Sequence, residues 1–420
     1  MTKCQGVYRC CPAALVLLFF QAVVHAEPLT HDETVRLALE RSPSIQAQGL
    51  AIEGAESSAT AAGRLPDPEL IVGIDNLPIE GPDAYSVSRD FMTMRKVGVM
   101  QSFPSQRKRA AQRERAGAAM SLAESQGLQL RTEIARAAAD AWVMAQAAEL
   151  ALAQLHQLEP EVNLQAQAAR TALANARGSA VDALAAQSDK SELADRILQA
   201  QREVRVARAA LMQWIGEDGG RPLASIQAFR ELPAPREELL ASMHRHAALL
   251  SFDAQRAVAQ SEIDLAEAEK RADWSTQLTY SKRGDAFSDM VSLEFRIGLP
   301  LFGGKRQDPQ IAARHADLSR LGAEREAELR MHTAEVSDAL FAWDAARGRI
   351  ELYENERLPL ARQRSQAALS GFRAGTVDMT ALLASHVAEI EVQRSYAELV
   401  RELGQAWVFL RYLDTGQEPQ

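Results

Sequence analysis

The chain contains three cysteines, Cys4, Cys10 and Cys11, and none from Pro12 to Gln420. That stretch therefore has no disulfide, no thiolate metal site and no cysteine nucleophile. Aromatic residues are scarce, at 5%. After the first 26 residues no apolar run approaches the ~18 residues needed for a membrane-spanning helix. There is no glycine-rich phosphate loop, no His-Glu-x-x-His and no Gly-x-Ser-x-Gly. These absences point away from an enzyme, a bound cofactor or a resident metal. Acids outnumber bases, giving a net charge of −9. That excess argues against nucleic acid as a partner.

Residues 1–26 read as a secretory signal peptide. Lys3 and Arg9 make a basic start, Ala13 to Val24 an apolar core, and Val24-His25-Ala26 a small-x-small cleavage site. Cleavage removes two positive charges and takes the net charge from −9 to −11. A lipid anchor needs a cysteine just after the apolar core, where this chain has Ala26 and Glu27. With no later apolar helix, membrane residence requires a β-barrel.

What the chain has in abundance is helix-forming sequence, interrupted twice by short alternating segments. Thr30 with Glu33 forms a capping-box pattern that opens a helix running to about Gly63. Leu65-Pro66-Asp67-Pro68 stops it. Glu69 to Leu77 alternates as a strand, with Leu70, Val72 and Ile74 on one side. A second strand, about Arg95 to Phe103, sets Val97, Val99 and Phe103 against Lys96, Gly98 and Ser102. A helix then runs from Ser105 to about Arg177, and Gly178-Ser179 turns the chain back.

About 200 residues on, the pattern repeats. A helix over Glu237 to Ala272 precedes strands at Ser275 to Lys282 and Val291 to Leu299. The last strand alternates most cleanly, with Val291, Leu293, Phe295, Ile297 and Leu299 as the candidate lipid-facing set. A helix from about Arg306 to Arg373, a turn at Gly375-Thr376 and a return helix from Val377 to about Leu413 complete it. The organisation is thus a signal at 1–26, a first repeat at 27–214, a linker at 215–235, a second repeat at 236–413 and a short tail at 414–420.

The long helices carry coiled-coil seams of small residues. Ile134, Ala138, Ala141, Ala145, Ala148, Leu152 and Leu155 form one; Leu193, Ile197, Ala200, Val204, Ala207, Leu211 and Trp214 form another. Pro160 and Pro359 interrupt the outgoing helices at corresponding places. Proline inside a helix costs ~3 kcal/mol, so each is expected at the first turn of a resumed helix.

Four strands cannot close a barrel, and lipid does not tolerate open sheet edges. Either the sheet is soluble and covered, or several chains pool strands. Three chains supply a twelve-stranded barrel with an aqueous lumen. The residues alone give a fold class that is mainly α with a small β part and leave both arrangements open. A two-repeat long-helix α-barrel, with four strands per chain completing a twelve-stranded β-barrel as a trimer, is what the chain's resemblance to a known family implies.

Across the whole chain after the signal, this set resembles the TolC family of outer-membrane efflux channels. The residues that carry the resemblance are the repeat, the strand followed by Lys-Arg (Lys108-Arg109 and Lys305-Arg306), the paired prolines, and the turn-then-Asp tips Gly178 to Asp182 and Gly375 to Asp378. Asn76-Leu77-Pro78, Asp90-Phe91-Met92-Thr93-Met94, Gly98 and Gln101 resemble the heavy-metal, CzcC/CusC-like branch. The resemblance implies a homotrimer in outer-membrane lipid with a large periplasmic part. It implies a periplasmic adaptor (membrane fusion) protein and an inner-membrane resistance-nodulation-division pump as partners. The channel is then a passive exit duct for heavy-metal cations, or else for organic toxicants or a secreted protein. The reading from a different class is a periplasmic coiled-coil adaptor or scaffold.

By the same resemblance the two turns form the periplasmic tip. Asp182 and Asp378 are candidate gate residues, with Arg177 and Arg373 beside them. In a trimer each aspartate would form a carboxylate ring; alternatively, each caps its return helix. The family's usual acid falls a few positions later, where this chain has Ala381 and Ala384. Met92, Met94 and Met100 read either as soft metal ligands or as barrel packing. His244 and His246 flank Arg245 near a helix start, whereas His315, His332 and His386 are scattered.

Overall fold

A computed structural model describes residues 27–225 and 227–413. The signal segment 1–26 and the tail 414–420 lie outside the described residues. Two helices, α1 (His31–Arg41) and α2 (Pro43–Ala61), lead into strands β1 (Glu69–Asp75) and β2 (Met94–Phe103). The long α3 (Gln106–Ala174) and its return α4 (Ala180–Ile215) follow. The same order then recurs: α5 (Arg236–Ala241) and α6 (Ala247–Ala268), β3 (Trp274–Lys282) and β4 (Met290–Ile297), α7 (Gly303–Leu352), α8 (Leu358–Ala374) and α9 (Met379–Arg411).

Each break and cap has a local cause. Thr30 caps α1 by accepting from the Glu33 amide at 3.2 Å. The expected reciprocal half of the capping box is absent, because the Glu33 carboxylate binds Arg221 at 2.7 Å instead. The single helix expected up to Gly63 is two helices, since Ser42 caps α2 and Pro43 occupies its first turn. The single helix expected over 237–272 is likewise split, with His246 as the cap of α6. β4 ends at Ile297, so Leu299 lies beyond the strand it was expected to belong to.

The two prolines behave differently. A π-helical turn at Tyr353–Arg357 places Pro359 in the first turn of α8, as expected. Pro160 instead sits inside an unbroken α3 of 69 residues, on the order of 100 Å long. Pro160 and His156 are both exposed. The His156 carbonyl that loses its helical donor can therefore be solvated.

The four strands form one antiparallel sheet in the order β1-β2-β3-β4. β2 and β3 come from opposite halves of the chain, and their register pairs Phe103 with Trp274 and Arg95 with Lys282. The helical segments join the sheet at one end, at Glu69, Phe103, Trp274 and Ile297. The loops 76–93 and 283–289 lie at the other.

The main core gathers residues of α1, α3, α4, α7 and α9 around the stretch that reads as a linker. Phe229 in that stretch is 1% exposed, and Leu223 bridges Leu29. Tryptophans sew the loops down in matching ways. Trp142 Nε1 donates to the Leu29 carbonyl at 2.9 Å, and Trp343 Nε1 to the Phe229 carbonyl at 3.0 Å. The partners are 113 and 114 residues apart, so the two halves use the same device. Of the first seam Ile134, Ala138, Ala141 and Ala145 are buried; of the second, Leu193, Ile197, Ala200, Ala207 and Leu211.

Candidate functional site

The sheet is inside-out relative to a water-soluble one. The register places Val72, Val97, Tyr280 and Val291 in one row across all four strands, and Leu70, Val99, Leu278 and Leu293 in another. These rows share a face, because side chains two apart in a strand point the same way. That face is bare: Val72 is 73% exposed and Val291 69%. The opposite face carries Gly98, Thr279, Ser281, Glu294 and Arg296; it is sheltered on the inner strands, where Thr279 is 5% exposed and Ser281 6%, and open on β4, where Glu294 and Arg296 are exposed. In water the sheltered face would be the apolar one. Charges on the polar face are matched: Lys96 Nζ lies 2.8 Å from Asp75, and Arg296 Nε 2.6 Å from Glu294.

The candidate lipid-facing residues thus fall together. Val291, Leu293, Phe295 and Ile297 all lie on the exposed apolar face, and Leu299 is an exposed apolar residue just past β4. At the helical end of this face Phe103 and Trp274 stack with centroids 4.2 Å apart. Next to them Asp273 fixes the strand-to-helix transition. It accepts from the Ser105 amide at 2.9 Å and from Lys108 Nζ at 2.8 Å. Those bonds hold its carboxyl below the usual range despite the opposing effect of burial.

The methionines separate. Met94 and Met100 share the sheltered face of β2, with Met100 Sδ accepting from Arg296, while Met92 is in the loop before it. At the tips, Asp182 and Ser179 bond reciprocally. The Asp182 amide donates to Ser179 Oγ at 3.0 Å, and the Ser179 hydroxyl donates to the Asp182 carboxylate at 2.7 Å. Asp378 accepts from the Ala381 amide at 2.7 Å. Asp378 therefore caps its return helix, whereas the cap of α4 is Ser179, with Asp182 in the first turn bonded back to it. Among the described residues neither Arg177 nor Arg373 forms an ion pair with them, and both are exposed. The two tips are neighbours, joined by Ala166, Ala169, Ala186, Met379 and Leu382. The left-handed residue of the first turn is Ala176 (φ 53°) rather than Gly178; in the second it is Gly375 (φ 74°).

Two buried polar clusters were not legible as units. His386 and Asp189 face each other across α9 and α4 at 3.7 Å, with Glu389 and Gln393 on the same helix. Burial pushes the Glu389 carboxyl up. His246 and His332 lie with ring centroids 3.7 Å apart, and His332 also approaches Glu335 at 3.3 Å. The His244 side chain lies outside the described set, and His315 is exposed. Among the described residues no group of three His, Cys, Asp or Glu side chains is arranged to hold a metal, and no helix is long and apolar enough to cross a membrane.

No protein-family model and no curated protein matches the sequence. Solved structures do match over nearly the whole chain. The outer membrane protein VceC from Vibrio cholerae is similar at 18% identity and a TM-score of 0.74, over 92% of this chain and 96% of that one. The CmeC outer membrane channel of Campylobacter jejuni gives 10% identity and a TM-score of 0.77, over 93% and 87%. CusC, studied for its folding and transmembrane channel formation, gives 15% and 0.73, over 91% and 92%. The chain has the fold of these outer-membrane channels. CusC does not stand apart from the others in either measure.

Proposed function

We propose that this chain is the protomer of a homotrimeric outer-membrane efflux duct of TolC type. One observation carries the reading: a four-stranded sheet that exposes its apolar face on every strand, buries polar residues on the opposite face of its inner strands, and leaves both edges, β1 and β4, unpaired. Lipid would cover the apolar face. Pairing β4 of one copy with β1 of the next would remove every edge. Three copies then close twelve strands over a helical tunnel built from the long helices below.

In this reading the two repeats, 27–214 and 236–413, are successive arcs of the wall. The tips that carry Arg177, Asp182, Arg373 and Asp378 are the periplasmic entrance, where an adaptor and an inner-membrane resistance-nodulation-division pump deliver substrate. Heavy-metal cations are the proposed cargo, on the sequence resemblance around Asn76 and Asp90. The duct itself is passive and has no catalytic centre.

The test has two parts. Purified protein should sediment with outer membranes and run as a heat-modifiable trimer; a soluble monomer refutes the duct. A strain lacking the gene should then grow poorly on graded zinc, cobalt, cadmium, copper or silver, and the intact gene should restore it. Sensitivity confined to dyes and detergents keeps the duct and overturns the metal cargo.

A further inference from the structure

The apolar face of the sheet does not end in apolar residues. One row beyond Val72, Val97 and Tyr280, on the same face, the register places Ile74, Arg95 and Lys282. Arg95 and Lys282 are directly opposed, and both are exposed. Like charges opposite one another in a sheet repel. Arg283 follows at the start of the loop.

These cations are held but not neutralised. Arg95 Nη2 donates to the Arg283 carbonyl at 3.4 Å. Arg283 Nε donates to the Ser288 carbonyl at 2.9 Å, and its guanidinium lies 5.4 Å from the Phe287 ring centroid. Among the described residues none of the three makes an ion pair. The Asp289 carboxylate, opposite Lys282 when the β3–β4 register is continued by one residue, keeps its charge while accepting from the Tyr280 hydroxyl, and forms no ion pair with Lys282. The contrast with the other face is sharp, since Lys96 and Arg296 there each have a carboxylate partner. The two loops are also pressed together. A Cβ on Gly284 would meet the Ser88 carbonyl oxygen at 1.8 Å, so the rim is built rather than loose.

Aromatic residues flank this face at both ends of β3. Trp274 and Tyr280 are six residues apart, about 20 Å along the strand at ~3.4 Å per residue, with one polar row, Gln101 and Thr276, between them. Lys282 is about 7 Å further out. The helices join at the opposite end of the sheet, so this rim is the one distal to the helical part. If the chain spans the outer membrane as proposed above, on which this inference rests, the rim meets the outer leaflet at headgroup depth. We propose that Arg95 and Lys282, supported by Arg283, bind the phosphate groups of the phosphorylated glycolipid of the outer leaflet. An anionic headgroup would relieve the repulsion between the opposed cations and supply the partner they lack.

The experiment uses the full-length protein in nanodiscs and native mass spectrometry. The probes are bis-phosphorylated lipid A, its dephosphorylated form, and phosphatidylglycerol. The wild type should retain bis-phosphorylated lipid A in preference to both others. Arg95→Gln and Lys282→Gln should each weaken retention about fivefold, and the double variant about thirtyfold. The charge-preserving pair Arg95→Lys and Lys282→Arg should retain it. Equal binding of the dephosphorylated lipid, equal binding of phosphatidylglycerol, or an unaffected double variant overturns the proposal. Insertion is scored first. A wild type that fails to insert as a heat-modifiable oligomer refutes the duct, whereas insertion with indifferent glycolipid binding refutes only this site.

Discussion

Leu293 and Ser292 are adjacent on β4 and point to opposite faces of the sheet. Arginine at each position separates a lipid-facing sheet from a solvated one. Leu293 is 61% exposed in the protomer and pairs with Leu278 at mid-sheet. Leu278 is four residues from both Trp274 and Lys282, about 14 Å from the stacked aromatics at one end of β3 and from the cationic rim at the other. In the proposed duct a charge there lies near the bilayer midplane, where arginine costs ~2–4 kcal/mol. Three copies in the proposed trimeric barrel would raise this to about 6–12 kcal/mol per trimer, comparable to a whole domain's stability. In the same duct Ser292→Arg would face the aqueous lumen and should cost little. In a water-soluble sheet the sign at Leu293 reverses, since replacing an exposed leucine with arginine is neutral or favourable there. The assay is refolding into lipid vesicles, read by heat-modifiable migration and by urea titration of the inserted protein. Leu293→Arg should fail to form the heat-modifiable trimer while Ser292→Arg forms it. Equal yields for both, or a defect confined to Ser292→Arg, would refute the assignment of faces.

Other expectations follow from single sites. His31 is buried among Trp142, Phe229 and Trp407, with its ring 5.0 Å from that of Trp407. Burial lowers its pKa below 6.5 against the opposing pull of Asp32. The unfolded imidazole therefore takes up a proton first as pH falls. Its contribution is fully present above about pH 6.5 and is lost below it. Thermal midpoints measured from pH 8 to pH 5 should fall more steeply for wild type than for His31→Leu. Ala176 pays for a left-handed backbone that glycine adopts freely, so Ala176→Gly should stabilise by ~1 kcal/mol and Gly375→Ala should destabilise by a similar amount. Differential scanning calorimetry of the two variants measures the pair, and equal signs would contradict the turn geometry. Trp142→Phe and Trp343→Phe each strip the donor from a buried loop carbonyl. Each should cost ~1–3 kcal/mol, read as a lowered urea midpoint, and the two costs should be alike.

Local rules made much of the chain legible. Period-two alternation located β1 to β4 within about two residues at either end. Asp182 and Asp378 could both be read from sequence as helix caps; Asp378 shows that bonding, but in the first tip the cap is Ser179, three residues before Asp182. The break at Ser42-Pro43 was written in the sequence too, as an N-cap serine before a first-turn proline, but the apolar periodicity running through it masked the signal. Pro160 misled in the other direction: its cost depends on whether the freed carbonyl meets water, which a sequence window does not contain.

The sequence by itself determined the periodic content: long helices with small-residue seams, four alternating strands, two turns and a repeat. Each is set by side-chain spacing along a few residues, so a single chain carries the information. The tertiary structure alone decided which faces meet. It joined β2 to β3 across the two halves, packed the stretch around Phe229 into the core, brought His386 to Asp189, and placed Arg95 opposite Lys282 on a sheet that shows its apolar side outward. Those contacts link residues up to about two hundred positions apart. They are selected by the packing and desolvation of the whole fold, a cooperative balance that no local pattern records.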